Sequence, residues 1–486
     1  MCIRDSISIM LYEKLMSDNK IIAHHKELFK AKKNLESRIE IANYSTLPEE
    51  LEVLANDKSK DVRYEIAINP YTPAKLLEKL SGDRIANVRE GVTRNTNVPI
   101  SLLDMLAIDK DADVRAATAK SSRTTASALK KLAVDQDYGV SLDGMRVDGG
   151  VRGLTARNPN TPTSALEKLA TDEEDCVRKQ AARNTSMPSL VLAKLSTDES
   201  SNMRYAVAGN PNTPVHILEK LSTDENKNIR SNIAENSNTP VHILDKLSTD
   251  KDGSVRQTIA TNPNTPVLTL EKMVWDNDKN VKQYGLAENS NISASALENL
   301  AADEDEEVRS STARNPNTPT STLENLAADE DEEVRSSTAI NPNTPISILE
   351  KFALEEDNTL WQSLANNPNT PISILEKFAL EEDIWIRRNT AGNPNTPVYL
   401  LEKWSSDEDE SMRIALAQNS NLPINIFEKL LLDEEQDVRF WLAINPYTPL
   451  SILKKLSIDK NARVRSGALE NLSKLELASK NLDNFN

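Results

Sequence analysis

The sequence predicts an all-α protein, a solenoid of about sixteen tandem repeats of 26 residues with two short helices each. Two observations carry this prediction. The 23 prolines all fall in two slots three residues apart, within recurring segments such as Asn-Pro-Asn-Thr-Pro at 158–162. Apolar residues follow the second proline at helical spacing, so each helix has one apolar stripe that it cannot bury alone. Stacking neighbouring repeats buries these stripes in a continuous core.

The second proline of the segment sets the register of each repeat. Just before it, Thr161 is expected to cap the first helix, with Pro162 in the first turn, where its missing N–H leaves nothing unsatisfied. Leu166 and Leu169 then lie on one helical face and form the buried stripe. The register slot is filled by Pro48, Pro73, Pro99, Pro162, Pro188, Pro214, Pro240, Pro266, Pro319, Pro345, Pro371, Pro397, Pro423 and Pro449, and by Thr125 and Ser293.

The second helix follows an acid that recurs in every repeat, such as Asp172. An acid here is expected to cap the helix and to interact favourably with its dipole. Val177 and Arg178 form an apolar-basic pair, and the small Ala182 is expected to let neighbouring helices approach closely. Asn184 is expected to end the helix, because asparagine tolerates the left-handed backbone conformation common at helix ends.

The net charge and the cysteine content limit which functions and compartments are expected. A net charge of −17 repels nucleic acid and anionic membrane surfaces. The two cysteines, Cys2 and Cys176, cannot form a disulfide framework, which favours a reducing, cytoplasmic compartment. There is no apolar run long enough to span a membrane, and no signal peptide. We therefore expect a cytoplasmic, monomeric protein with no membrane association.

Three segments are predicted along the chain. Residues 1–37 are expected to form an N-terminal helical cap, residues 38–470 the solenoid, and residues 471–486 a C-terminal cap and tail. A glycine-rich stretch at about 138–150 breaks the period and is expected to form an inserted flexible loop. The repeats thus account for nearly the whole chain.

One pattern recurs from about Arg38 to about Leu469: Asn-Pro-x-x-Pro-x-x-x-Leu-x-x-Leu-Ala-x-Asp-x-x-x-x-Val-Arg-x-x-x-Ala. It resembles the leucine-rich repeat variant family, a relative of armadillo and HEAT solenoids. The resemblance implies a right-handed superhelix in which an α-helix alternates with a 3₁₀ helix, and a role in partner binding. It leaves open which helix here is 3₁₀. Some members bind an iron–sulfur cluster through cysteines of an N-terminal domain, but residues 1–37 contain only Cys2, so we expect no cofactor.

An arginine recurs sixteen residues after the register slot in most of the repeats. One interpretation is a structural ladder, in which each arginine pairs with the aspartate six residues earlier and joins neighbouring repeats. The other is a row of cations that follows the phosphates of a nucleic acid. Because each arginine has an acidic counterpart and the whole chain is acidic, the structural interpretation is favoured. The predicted ladder includes Asp172, Arg178, Asp198, Arg204, Asp224, Arg230, Asp250 and Arg256.

The second helix also indicates where a partner would bind. Positions 14, 17, 18 and 21 after the register slot lie opposite its buried side and vary most between repeats, so we expect them to line the concave face. Exposed aromatic residues make good binding hot spots. On this face, or in a vacated arginine slot beside it, lie Tyr64, Tyr205, Trp361, Trp385, Phe440 and Trp441.

The sequence therefore predicts a non-catalytic scaffold that binds a protein or peptide on its concave face. It contains no motif for a catalytic nucleophile, a zinc protease or a dinucleotide. The four histidines lack the neighbouring ligands that a metal site needs. Two alternatives stay open: a nucleic-acid-binding HEAT-like solenoid that uses the arginines, and a HEAT-like repeat enzyme.

Overall fold

The computed structural model describes residues 35–137 and 149–483. Within these residues, all regular elements are helices, and a short first helix alternates with a longer second helix. There is one such pair for each of the sixteen predicted repeats. The chain divides into two compact units, Met1–Ile243 and Leu244–Asn486.

The first unit contains one helix before the repeats and then seven helix pairs in its described part. In chain order the helices are α1 (Leu35–Tyr44), α2 (Pro48–Leu54), α3 (Lys60–Ile68), α4 (Ala74–Ser81), α5 (Ala86–Arg94), α6 (Ile100–Leu106), α7 (Ala112–Lys120), α8 (Ala126–Leu132), α9 (Gly150–Arg157), α10 (Thr163–Leu169), α11 (Asp175–Arg183), α12 (Ser189–Leu195), α13 (Ser201–Ala208), α14 (Val215–Leu221) and α15 (Lys227–Glu235).

Nine further pairs begin with a helix at the boundary between the units. They are α16 (Val241–Leu247), α17 (Gly253–Thr261), α18 (Val267–Met273), a π-helix (Val281–Leu286), α19 (Ala294–Leu300), α20 (Glu306–Arg314), α21 (Thr320–Leu326), α22 (Glu332–Ile340), α23 (Ile346–Phe352), α24 (Asn358–Asn366), α25 (Ile372–Phe378), α26 (Ile384–Gly392), α27 (Val398–Trp404), α28 (Glu410–Gln418), α29 (Ile424–Leu430), α30 (Gln436–Ile444), α31 (Leu450–Leu456) and α32 (Ala462–Asp483).

Both helices of the repeat are α-helices. A typical first helix has seven residues, as in α10, and a typical second helix has nine, as in α11. In α10 the N–H of Leu166 donates to the carbonyl of Pro162 at 3.1 Å, the i→i+4 bond of an α-helix. Seven residues are enough for two such turns. The 3₁₀ helix that the resemblance implied is absent from the described ranges.

The start of the first helix differs from the expected cap. Pro162 is the N-cap residue itself, with an extended backbone at ψ 150°, and the helix begins one residue later. The Thr161 hydroxyl instead donates to the carbonyl of Thr155, at 2.5 Å, near the end of the preceding helix. Where Thr125 replaces the proline, its hydroxyl accepts the N–H of Ala128 at 3.1 Å. A side-chain cap thus forms where the register residue has a hydroxyl of its own.

The core lies between the first and second helices of stacked repeats. Leu166, Leu169 and Val177 are fully buried, on the inward face that the apolar spacing predicted. Ala182 is fully buried as well, and its small side chain leaves room for the neighbouring second helix. Trp404 takes a leucine slot and is also part of the core.

A row of buried asparagines joins successive repeats. Asn184 ends its helix as expected, but with φ −66°, so the expected left-handed conformation was wrong. Its Nδ2 donates to the carbonyls of Ala156 and Asn158 in the preceding repeat, at 2.7 and 2.8 Å, and its Oδ1 accepts the N–H of Ser186. The same double donation, here called the asparagine ladder, is made by Asn69, Asn95, Asn158, Asn210, Asn236, Asn289, Asn315, Asn341, Asn367, Asn393, Asn419, Asn445 and Asn471.

One repeat of the second unit accommodates an additional residue. The step from Pro266 to Ser293 is one residue longer than the usual 26. Its second helix, Val281–Leu286, is a π-helix, in which a widened turn takes up the extra residue. A Cβ built on Gly285 would lie 2.5 Å from the Cβ of Ala260, so only glycine allows these two helices to approach this closely.

Two predicted segments fall largely outside the described residues. Residues 1–34 of the predicted N-terminal cap and residues 138–148 of the predicted loop belong to this part. At the other end, helix α32 runs through residues 471–483 of the predicted C-terminal cap.

Candidate binding surface on the second helices

Arginines in the second helices join each repeat to the next. Arg204 donates through Nε and Nη2 to both carboxylate oxygens of Asp224, at 2.7 and 3.2 Å, and through Nη1 to the backbone carbonyl of Asp198 at 2.9 Å. The carboxylate partner is therefore twenty residues later, and not six residues earlier as the sequence suggested. The Asp198 carboxylate is instead turned toward its own second helix, where it accepts the N–H of Ser200.

This arrangement, here called the arginine ladder, recurs in both units. Each pair is bidentate, the strongest geometry for arginine and a carboxylate. The pairs are Arg63–Asp83, Arg89–Asp109, Arg115–Asp135, Arg152–Asp172, Arg204–Asp224, Arg256–Asp276, Arg309–Asp329, Arg413–Asp433 and Arg439–Asp459.

Three predicted ladder residues make further contacts of their own. Arg178 forms an ion pair with Asp175 of its own helix. Arg230 donates to the carbonyl of Asp224 at 2.8 Å. Asp250 accepts the N–H two residues later at 2.9 Å. The carboxylate therefore orders the turn before the second helix, while the residue two positions on is the helix N-cap.

Burial and pairing shift the pKa values along the ladder. Burial acts to raise the pKa of the Asp224 carboxyl, but hydrogen bonds from Arg204 and from the N–H of Asn226 outweigh it, so the pKa lies below its usual value. The hydrogen bond to Asp224 raises the pKa of Arg204. Their side chains are 14% and 7% exposed. The guanidinium is therefore held against a protein carboxylate and is not presented to solvent.

Trp361 takes an arginine slot of the ladder and was expected among the exposed aromatic residues. It is 8% exposed, so this expectation was wrong. Its ring packs against Phe378 of the next repeat, with centroids 5.5 Å apart, and the Nζ of Lys377 lies 4.1 Å from its centroid. The ring fills the space between repeats that a guanidinium fills elsewhere. Glu381, at the ladder acid position, forms no ion pair within the described residues.

Trp385 is the predicted aromatic residue with the most solvent-exposed ring, at 56%. The guanidinium carbon of Arg388, three residues later in α26, lies 4.7 Å from the ring centroid, which is a cation–π contact. The Nε of Arg388 is buried and has no hydrogen-bond partner among the described residues. Tryptophan and arginine are both enriched among binding hot spots. The pair is therefore a candidate anchor for a partner.

Phe440 and Trp441 form a second aromatic pair in the second unit. Their rings meet edge to face, with centroids 6.0 Å apart. The guanidinium carbon of Arg463 lies 3.8 Å from the Phe440 centroid, and Arg463 also pairs with Asp437 at 3.0 Å. Both rings are half-buried. They offer a partner less surface than Trp385 does.

Tyr205 lines a polar groove of about 420 Å³ in the first unit. Its ring centroid lies 5.8 Å from the guanidinium carbon of Arg183, and its carbonyl accepts a hydrogen bond from Asn232 at 2.7 Å. The sequence singled out the tyrosine but not the amides and hydroxyls around it, which recur at positions 14 and 17 of successive repeats. The other lining residues are Lys179, Ser201, Asn202, Asn226, Asn228, Ser231 and Glu235.

Tyr64 is half-buried within a charged cluster. Its hydroxyl accepts a hydrogen bond from Arg94 at 3.4 Å, and Arg94 pairs with the buried Glu90 at 2.5 Å. Burial raises the pKa of the Glu90 carboxyl, although Arg94 opposes the shift. Burial also raises the pKa of Tyr64. Much of this tyrosine is therefore already engaged within the protein.

Sequence reasoning missed a set of exposed apolar side chains at the corner between the first and second helices. They stand nine residues after the register slot. Trp275 is 75% exposed there. The signal in the sequence is that this slot holds polar residues in some repeats and large apolar residues in others. The apolar group also includes Ile108, Val134, Leu354, Leu380, Leu432 and Ile458.

Within the described ranges, no three His, Cys, Asp or Glu side chains are grouped so that they could hold a metal ion. No helix in those ranges is long and apolar enough to cross a bilayer. Cys176 is half-buried and forms no disulfide within the described residues.

The repeating helix pairs define the class of the protein: an all-α protein of stacked two-helix repeats. Solved structures similar to the chain include a leucine-rich repeat variant, at 21% identity over 51% of this chain and 88% of that one, with a TM-score of 0.25. Yeast importin-β (Kap95p) is 13% identical over 94% of this chain and 70% of that one, with a TM-score of 0.30. UNC-45 from Drosophila melanogaster is 12% identical over 96% and 94%, with a TM-score of 0.23. No protein-family model and no curated protein sequence matches the chain.

Proposed function

We propose that the chain is a non-catalytic scaffold that binds a protein or peptide on the face formed by its second helices. The observation that carries the proposal is the exposed Trp385, with the guanidinium of Arg388 against its ring. A large exposed aromatic ring offers apolar area to a partner, and the adjacent arginine offers hydrogen-bond donors.

The rest of the second-helix face supports this proposal. It carries the polar groove around Tyr205 in the first unit, where the amides of Asn202 and Asn228 stand at position 14 of successive repeats. Amide side chains both donate and accept hydrogen bonds, as the backbone of a bound peptide requires. A face that combines adaptable polar groups with a few aromatic anchors is suited to polypeptide recognition.

We expect this face to be the concave one. Successive second helices approach so closely that a Cβ on Gly91 would lie 3.0 Å from the Cβ of Ala67. Close approach along one row of helices is the arrangement expected for the inner side of stacked repeats.

The arginine ladder lends no support to the nucleic-acid alternative. Its guanidinium groups, such as that of Arg204, already make bidentate bonds to buried aspartates. A phosphate would have to displace those carboxylates, whereas binding to nucleic acid relies on accessible cations.

The proposal is tested by a nuclease-treated pull-down from the source lysate with the intact chain, Trp385→Ser and Tyr205→Ser. Trp361 is left unchanged, because replacing a buried ring would open a core cavity and confuse binding with stability. The expected result is a polypeptide that the intact chain retains and that at least one of the two variants loses.

The matched control is Trp275→Ser, which removes an even more exposed tryptophan from the corner between helices and not from the second-helix face. This control should retain the polypeptide. Equal capture by all four proteins would move the site away from the second-helix face, and capture by none would contradict a scaffold for polypeptides.

A further inference from the structure

Three corners of the second unit present a leucine almost entirely to solvent. Leu354, Leu380 and Leu432 are 82%, 81% and 81% exposed, each nine residues after its register proline. Ile458 holds the same slot in the last repeat and is exposed as well. These four residues are here called the leucine edge. A single exposed leucine is ordinary, but exposed apolar side chains that recur at one slot of successive repeats form a patch of the kind that marks interaction sites.

The repeat itself does not require an apolar residue at this slot. In other repeats the slot holds threonine, and the hydroxyls of Thr171, Thr197 and Thr223 donate to a carbonyl in the last turn of their own first helix, at 2.9, 2.9 and 2.9 Å. The backbone has the same form in the threonine and the leucine repeats. In each case the first helix ends two residues before the slot, at Leu169 before Thr171 and at Phe352 before Leu354. Leucine at this slot therefore has no part in building the repeat.

Acidic residues follow the leucines directly. Leu354 and Leu380 belong to identical segments of sequence and are each followed by Glu-Glu-Asp. At the second of these corners the ladder arginine is replaced by Trp361, so no guanidinium neutralises Glu381 within the described residues. At the first, the Nε of Arg335 is 4.0 Å from the Glu355 carboxylate, longer than the regular ladder bonds.

The nearest cations do not offset these acids. One lysine precedes each leucine corner in the first helix, and Lys377 is already bound to the carbonyl of Ala353 and lies against the Trp361 ring. The exposed Glu356 and Glu382 have no ion pair among the described residues. Ser406 holds the slot between Leu380 and Leu432 and interrupts the leucine edge. The corners at Leu354 and Leu380 are therefore neighbouring apolar sites with an acidic border.

We propose that the leucine edge docks a basic amphipathic helix of a partner protein. Successive helices in a stack of repeats are spaced ~8–10 Å apart, and seven residues of an α-helix rise ~10.5 Å. A partner helix lying along the edge would thus bring one apolar side chain, one heptad apart, to each of the neighbouring corners Leu354 and Leu380, with lysines or arginines between them facing the acids. A second copy of this chain is disfavoured as the occupant, because its own edge is acidic. This surface is separate from the second-helix face and does not depend on the function proposed for it.

The test is fluorescence anisotropy with a labelled helical peptide of about 21 residues (~31 Å). Its leucines recur every seventh residue and its remaining helix-forming positions are mainly lysine. Two further peptides separate the contributions: one replaces the leucines by serine, and the other replaces the lysines by glutamate. The intact chain is expected to bind the leucine–lysine peptide and neither of the others comparably.

The protein variants are Leu354→Thr/Leu380→Thr, which installs the residue that other repeats have at this slot, and Glu356→Gln/Glu382→Gln. Burial of a single leucine contributes roughly tenfold in affinity, so the threonine variant should bind at least about tenfold more weakly. The glutamine variant should bind more weakly at low salt and show a reduced dependence on salt. Leu190→Thr is the matched control, since Leu190 is 82% exposed but lies in another slot of the first unit, and it should bind as the intact chain does.

Matching circular dichroism melts would establish that the variants fold alike. Equal binding of the serine–lysine peptide would show attraction by charge alone and overturn the proposal. It would also be overturned if the threonine variant bound as tightly as Leu190→Thr, or if the leucine–lysine peptide did not bind at all. The pull-down with Trp385→Ser reports on the second-helix face, so the two proposals can fail separately.

Discussion

Two junctions between repeats in this molecule are held together by different interactions at the same slot, the one that holds an arginine in most repeats. At the regular junction, Arg204 reaches across to Asp224 with two charge-assisted hydrogen bonds. At the junction after α24, Trp361 fills the slot and packs on Phe378, while the acid at the Asp224 position is an unpaired Glu381 in the described structure. One junction is ionic and the other is aromatic.

The asparagine ladder is the same at both junctions. Asn367, in the Trp361 repeat, donates to the carbonyls of Ala339 and Asn341 at 2.7 and 2.7 Å. Asn236, near the regular junction, makes the equivalent bonds to Ala208 and Asn210 at 2.6 and 2.8 Å. The difference teaches that the buried amide bonds hold the register of the stack, whereas the side chain in the arginine slot can be exchanged if the gap between repeats is filled.

The largest effect on stability is expected from removing the asparagine hydrogen bonds, which the two junctions share. Asn367→Ala removes both amide hydrogen bonds and leaves buried carbonyls without a donor, so it should lower the free energy of unfolding by about 2–4 kcal/mol. The measurement is the urea midpoint together with hydrogen exchange of the neighbouring helices, because repeat proteins can unfold in parts. Asn369→Ala is the control: its amide bonds the carbonyl of Pro342 at an exposed site, and its loss should cost much less. Equal losses would contradict the special role of the buried amide.

The next largest effect on stability is expected from converting the aromatic junction into an ionic one. Trp361→Arg loses the packing on Phe378 and should lower the free energy of unfolding by about 2–3 kcal/mol, since the new pair with Glu381 does not fill the space. Phe378→Leu restores the leucine that most repeats have at that slot. In the double variant the loss should be smaller than the sum of the two single losses by about 0.5–1.5 kcal/mol. Strictly additive losses would mean that the two rings do not depend on each other.

The ionic junction should respond to acid. The folded pKa of Asp224 is below its usual value, so the pair contributes its full stability above the usual carboxyl pKa and loses it as the pH falls through the lowered folded pKa. Arg204→Gln removes the side-chain hydrogen bonds that lower this pKa, while burial, which raises it, and the N–H of Asn226, which lowers it, remain. The variant should therefore lose about 1–3 kcal/mol at neutral pH and begin acid unfolding at a higher pH than the intact chain.

Thermal melts across acidic pH would measure this shift. Arg178→Gln serves as the comparison, because Arg178 pairs with the largely exposed Asp175, and such a pair contributes little. If both variants began to unfold at the same pH, the buried pairing of Arg204 would not be the source of the acid response.

The smallest effect is expected at the leucine edge. Leu380→Thr exchanges an exposed side chain for the residue that other repeats have there, so the free energy of unfolding should change by no more than about 0.5 kcal/mol. The same urea titration checks it. A loss as large as that of Trp361→Arg would mean that Leu380 packs against the repeat after all, and would remove the reason to regard it as a docking residue.

The repeat and its inward face could be predicted from the sequence, because proline slots and leucine spacing are local patterns. Thr161, Asn184 and the aspartates were assigned local roles at helix ends, since such residues usually act on their own neighbours. In the structure, the hydrogen-bond partners of these residues include carbonyl and guanidinium groups of adjacent repeats, up to 28 residues away in sequence. Spacing within one helix does not reveal such partners.

The candidate surface could be predicted only in part for the same reason. The period of the second helix identifies a face, but how much of that face the next repeat covers depends on the packing between repeats. Trp385 stays exposed and Trp361 is buried, although both were predicted to be exposed anchors for a partner. The polar groove at Tyr205 and the leucine edge are formed by side chains of several repeats, so the sequence of a single repeat does not predict them.

The last asparagine of the ladder is placed differently from the others. Asn471 donates backward to Ala443 and Asn445 like the rest, but it lies inside helix α32, which continues to Asp483. Its own carbonyl, and that of Leu469, which accepts the Ser473 hydroxyl at 2.9 Å, are therefore used within the continuing helix. A second molecule that offered its own asparagine here would find no open acceptor, so helix α32 closes the asparagine ladder at this end of the stack.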